Sequence, residues 1–311
     1  MKVILPEVIT DDTLTSSTIP ETDYAAWSDL TTYARGDFVI STTTHTIYRS
    51  LTDANLDNDP DLEQIAIADP LVEDPDPVNW QVISATNRWK MFDQKPSVRT
   101  VQTSSIEVVL TPNTLVSGVA GFGIKAESVE VSVVYDAVEV YNAVVEMQDD
   151  SIVPDWWAYF FTPIGLLTEF VLVDVPPYTG AEITITLTGG GDVECGQIVV
   201  GETRTIGEAV FGGTNFNGLD FSFVQQDEFG DLTTVQRAAT RVSNYEVVVA
   251  NSSLLGFDNL MRGLRGGVPA VWVGLEDPKR AAINYGFYRD YRSVYQTVDI
   301  SLVSLQIQGI V

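Results

Sequence analysis

The stretch Ser128-Val129-Glu130-Val131-Ser132-Val133-Val134-Tyr135 decides how the rest of the chain is read. Val129, Val131 and Val133 alternate with Glu130, Ser132 and Val134, the two-residue period of a strand with one buried face. The same period returns in Ala181–Thr188, where Ile183, Ile185 and Leu187 alternate with Glu182, Thr184, Thr186 and Thr188. Ser105–Leu110 and Glu169–Val173 are further strand candidates. No strong helical period interrupts them, so residues 84–200 are expected to form an antiparallel β-sandwich rather than βαβ units.

Working outward, Ala85-Thr86-Asn87-Arg88-Trp89-Lys90-Met91-Phe92-Asp93 opens this unit with the first dense apolar cluster. Trp89 and Met91 alternate, which predicts an edge or capping strand sealing the β-core. Gly189-Gly190-Gly191 has no following Lys-Ser/Thr and no helix, so it reads as a hairpin turn and not a phosphate loop. Pro154-Asp155-Trp156-Trp157-Ala158-Tyr159-Phe160-Phe161 is the main aromatic run and reads first as buried packing. Trp156 and Trp157, with Trp27, become glycan-stacking candidates only if they lie exposed beside polar groups.

Upstream, residues 24–83 form a small aromatic β-module. Gly36-Asp37 turns into the strand Phe38-Val39-Ile40, which pairs with Thr46–Ser50 across Ser41–His45. Trp27 and Trp80 are expected in its core, since sixty residues need bulky aromatics to build one. Asp57, Asp59, Asp61 and Glu63 alternate inside its acidic insert, and hard carboxylate oxygens suit Ca²⁺. Counting from Asp57, however, the sixth position is Leu62 rather than Gly and the twelfth Ala68 rather than Glu, so the EF-hand pattern fails. A solvated acidic loop without a cofactor is expected. Residues 1–23 read as an extended arm. Its apolar start, Val3, Ile4, Leu5, Val8 and Ile9, predicts that Lys2–Ile9 adds to a sheet edge or groove, on its own chain or a neighbour's, with Pro6 where no ladder bond is needed.

Downstream, residues 201–311 read as a third, β-rich unit. Val235–Ala238, Tyr245–Ala250, Val268–Gly274, Asn284–Tyr291 and Ser301–Gly309 are expected strands, and Leu254–Arg265 is the expected short helix, stopped by Gly266-Gly267.

Charge narrows function. The 311 residues carry a net charge of −26, which disfavours nucleic acid and anionic membranes. Residues 1–85 hold 16 acids against 3 bases, residues 86–200 hold 15 against 5, and residues 201–311 hold 12 against 9. The near-neutral last third therefore suits packing against other protein. It holds eight Arg and one Lys, and Arg favours planar, hydrogen-bonded interfaces. Arg237, Arg241, Arg262, Arg265, Arg289 and Arg292 are the assembly candidates. No apolar run reaches the ~18–20 residues a membrane helix needs. One histidine, His45, and one cysteine, Cys195, make the usual zinc ligand sets and a Cys-His or Ser-His-Asp site poor fits. No enzyme is expected.

Two resemblances add to this. Trp27, Tyr33-Ala34-Arg35-Gly36-Asp37-Phe38-Val39, Ile47-Tyr48-Arg49-Ser50 and Trp80 resemble the small chitin-binding type of carbohydrate-binding module. Where those modules display an exposed aromatic pair, this chain has Leu51-Thr52-Asp53-Ala54. Thr86–Asp93, Cys195-Gly196-x-Ile198-Val199-Val200-Gly201, Asp227-Glu228-Phe229-Gly230, Val271-Trp272-Val273-Gly274, Tyr285–Tyr291 and Leu302–Gly309 together resemble tailed-bacteriophage virion proteins. That resemblance implies a galactose-binding-like, jelly-roll sandwich followed by a tail-assembly domain. It also implies a place in the virion tail after synthesis in the host cytoplasm, as a homo-oligomer among other tail proteins. A host-surface glycan is the alternative partner.

Overall fold

The computed structural model describes residues 1–68, 76–149, 155–161, 165–226, 229–275 and 282–310. The chain is mainly β, with 52% strand and 10% helix. In order come β1 (Lys2–Pro6), β2 (Leu14–Ser17), β3 (Phe38–Ser41), β4 (Thr46–Ser50), α1 (Pro60–Ile67), β5 (Trp80–Ala85), β6 (Thr100–Leu110) and β7 (Gly118–Phe122). Then follow β8 (Ser128–Tyr135), β9 (Val138–Glu146), β10 (Gln148–Asp149), α2 (Trp156–Phe161), β11 (Gly165–Leu166), β12 (Glu169–Leu172), β13 (Glu182–Cys195) and β14 (Gln197–Thr205). The last third supplies β15 (Glu208–Ala209), β16 (Asn215–Asp220), β17 (Phe223–Gln226), β18 (Leu232–Val235), β19 (Ala239–Ala250), α3 (Leu254–Gly263), β20 (Ala270–Val273), β21 (Ile283–Tyr295) and β22 (Ile300–Gly309).

Two sheets make the sandwich. The first runs β2-β6-β13-β8-β9. The valines that open the sequence reading lie here on β8, where Val129, Val131 and Val133 are at most 1% exposed and face Leu187, Ile185 and Ile183 of β13 in register. Across from them lies a far larger sheet, β12-β7-β14-β1-β20-β21-β22-β19-β15, with β16 also on β19. Ile198 and Val200 of β14 close the sandwich core, and Cys195 is buried in it.

β1 is the joint of the molecule. It pairs antiparallel with β14 on one side and with β20 on the other, so it is an interior strand and not an edge addition. Its groove belongs to its own chain. Alternation splits its side chains between two cores: Val3 packs with Trp272, Tyr245 and the α3 residues Phe257 and Met261, while Ile4 packs with Val199, Val271 and Ile283 on the opposite face. The ladder to β20 stops at Ile4, so Pro6 leaves no gap there. The sheet curls until Arg241 of β19 meets Glu169 of β12 at 3.1 Å and donates to the Ile283 carbonyl at 2.8 Å.

Several expectations need correction. Ala85–Asp93 is not a capping strand. β5 ends at Ala85, the backbone turns through Trp89 N–H to Thr86 O, and Lys90–Phe92 forms a 3₁₀ turn. Trp89 and Met91 still reach the sandwich core. The side chain of Asn87 does the strand's work, bonding both the N–H and the C=O of Val101. Gly189–Gly191 is not a hairpin turn; β13 runs through it with a shift in register between Thr188 and Asp192. The acidic insert contains a helix, α1, and β18 ends at Val235 rather than continuing to Ala238.

Candidate functional site

The module folds as β3-β4-β5 around Tyr33, Val39, Tyr48 and Trp80, with Trp27 packed against that cluster. The four acids of its insert have separate tasks. Asp59 caps α1 by accepting from the Asp61 and Leu62 N–H groups, and Pro60 opens the helix. Asp61 accepts from the hydroxyls of Ser41, Thr44 and Tyr48. Burial, with Asp61 beside it, raises the Tyr48 phenol to about 12. Glu63 accepts from the Val78 and Asn79 N–H groups, and Asp57 sits in a left-handed turn with φ 59°. Among the described residues no group of three or more His, Cys, Asp or Glu is placed to hold a metal.

The tryptophan candidates separate. Trp27 belongs to the module core. Trp156 and Trp157 do not pack inward as first expected: on α2 they are 79% and 70% exposed, beside Phe160 and Phe161 of similar exposure. Trp157 and Phe161 lie 5.3 Å apart between ring centres. Pro154 lies outside the described residues. A further exposed pair was not singled out from the sequence: Tyr24 stacks on Phe38 at 5.0 Å and 17°. Thirteen residues separate the two, and the Ala25–Trp27 segment, bonded to Ile40, brings them together.

The six arginines also divide. Arg241 bridges the two ends of the large sheet, as above. Arg262 pairs with Asp258 at 2.8 Å one turn earlier on α3. Arg289 donates to Gln308 and lies over the Phe287 ring at 5.8 Å. Arg237, Arg265 and Arg292 are exposed, and Arg237 donates its N–H to Ser222 Oγ at a break partway along a structure that sequence reasoning missed.

That structure is a ribbon. β16 pairs with the start of β19, and β17 pairs with β18, so Asn215–Gln226 and Leu232–Asn244 form one long hairpin with a break near Ser222. Twelve residues at about 3.3 Å each make a reach of roughly 40 Å. Every described residue from Asn215 to Ala239 except Ser222 is exposed. Phe221, Phe223, Val224, Phe229, Leu232 and Val235 are among them. The signal was available in part: Phe216–Val224 alternates weakly, but no local residue says that its apolar side chains lack a core. Of the motif Asp227–Gly230, the first two residues lie outside the described ones.

The reactive candidates are spoken for. Cys195 is fully buried, and desolvation pushes its thiol far above the usual range. His45 sits at φ 54° in the β3–β4 turn, held between two carboxylates. Comparison with protein-family models, curated proteins and solved structures gives no match.

Proposed function

We propose that this chain is a structural component of a bacteriophage tail or tail appendage that assembles with further copies of itself through the Asn215–Asn244 ribbon. The ribbon carries the reading. A two-stranded hairpin is marginal in water by itself, and apolar side chains exposed on a long free-edged ribbon favour a second protein surface. Its setting suits a second copy, because it rises from the near-neutral third of a chain whose other two-thirds are strongly acidic. The remaining body supplies a packed base, and no catalytic step is assigned to it. The position in the tail rests on the ordered motifs shared with tailed-phage virion proteins. Light scattering of the purified chain over a range of concentrations tests the assembly. Oligomers that fall apart on Phe223→Ser with Phe229→Ser support it; a wild-type chain that stays monomeric throughout and is absent from virions sinks it.

The exposed aromatics of α2 favour a second role, adhesion to a host-surface glycan. Trp156 and Trp157 offer flat apolar faces of the kind on which sugar rings stack. A glycan array probed with wild type, Trp156→Ala and Trp157→Ala decides this role: binding lost in the variants supports it, and no binding by wild type removes it.

A further inference from the structure

The only histidine of the chain stands where three parts of the molecule meet. His45 projects from the β3–β4 turn of the module into a cavity of about 360 Å³ between that turn, the arm residues Ile9–Asp11 and the segment Ala85–Asp93. Its Nδ1 lies 3.0 Å from Glu21 Oε1 and its Nε2 lies 3.1 Å from Asp11 Oδ2. Its ring stacks on Trp89 at 4.1 Å and 18°. The same Glu21 oxygen accepts from the Thr86 hydroxyl at 2.8 Å, and the Thr86 N–H donates to the His45 carbonyl at 2.8 Å. Asn87 N–H is held by Asp23. Module, arm and sandwich are thus tied together around one imidazole.

A neutral imidazole has one N–H and one lone pair. It can donate to Glu21 or to Asp11, and the other carboxylate then faces a lone pair at hydrogen-bond distance. Only the imidazolium donates to both. Asp93, which lines the same cavity, adds a third acidic group from the sandwich side. Glu21 is the least tolerant of losing the cation, since its side chain is 12% exposed against 71% for Asp11.

We propose that protonation of His45 locks the module of residues 24–83 onto the arm and the sandwich, and that deprotonation releases it. The sign follows from the geometry. The clamp is complete when the imidazole is charged and is lost as pH rises through its titration. Glu21 is then left half-buried without its cation, and the joint through Thr86 opens.

Being the sole histidine, His45 gives the only imidazole nitrogen signals of the full-length chain labelled with ¹⁵N-histidine. The expected result is a single transition with both ring nitrogens protonated on its acid side and one on the other. Exchange of the Thr86 amide, corrected for the intrinsic effect of pH, should rise about tenfold across the same transition, as the loss of a charge-assisted hydrogen bond implies. Glu21→Gln should move the transition to lower pH, and His45→Gln should abolish the step in exchange. An imidazole that stays neutral throughout, one that titrates without changing Thr86 exchange, or a step that persists in His45→Gln each overturns the proposal. If His45→Gln does not fold, the direction of the Glu21→Gln shift still decides it.

Discussion

Gly201 has room for no side chain. A Cβ there would lie 1.8 Å from the Leu5 carbonyl oxygen, because β14 and β1 run against each other at that point. Gly201→Ala must push β1 off its neighbour, and an overpacking cost of about 1–3 kcal/mol or more is expected. Ile4→Ala acts on the same joint from inside. Its side chain is fully buried, so a loss of roughly 2–5 kcal/mol is expected by chemical denaturation. Glu194 gives a pH signature. Hydrogen bonds from Lys125 and Arg99 hold its carboxyl below the usual glutamate range. Its contribution is therefore present above the unfolded-state range and is lost as pH falls through the lowered folded value. Both cations are about half exposed, so the effect stays below ~1 kcal/mol. A melting-temperature series from neutral to acid should be flatter for Glu194→Gln than for wild type. Residue roles of this kind were only partly legible. A buried Cys195 and a core Trp80 follow from neighbours in sequence, whereas the partners of Glu194 and His45 come from strands and turns far along the chain.

At the scale of elements, strands that bury one face were legible because their period is local. β3, β4 and β8 and the helix α3 lie where the pattern put them. Ala85–Asp93 was misread because a 3₁₀ turn can bury Trp89 and Met91 as well as a strand can. Asp59-Pro60 with Asp61 and Glu63 is a helix start for α1, although the same acids alternate as a solvated loop's do. β1 is expected at a sheet edge or in a groove and fills a groove between β14 and β20 of its own chain; nothing within residues 1–9 encodes which strands those are. The two-sided pairing sets the outcome of truncation. Removing residues 1–6 deletes a strand bonded on both sides, so both cores should lose stability together. Hydrogen exchange of β14 and β20 in the truncated chain should accelerate in parallel. A truncated chain that melts like the full one would mean that the large sheet holds without its joint.

Across the whole molecule, burial and exposure are sharply divided. The sandwich, the α3-covered sheet and the module are packed, and the ribbon and α2 stand outside them. Fold class followed from periodicity, but the ribbon did not, because exposure is a property of what a strand fails to meet. The charge gradient and the arginine-rich composition were the sequence features that pointed toward the last third. Hydrogen–deuterium exchange of the intact wild-type chain, followed from dilute to concentrated solution, tests the assembly reading and the joint together. β1, β14 and β20 should be protected at every concentration, while Asn215–Gln226 and Leu232–Ala239 should exchange fast when dilute and slow when concentrated. Ribbon amides that exchange at one rate at all concentrations would contradict the account.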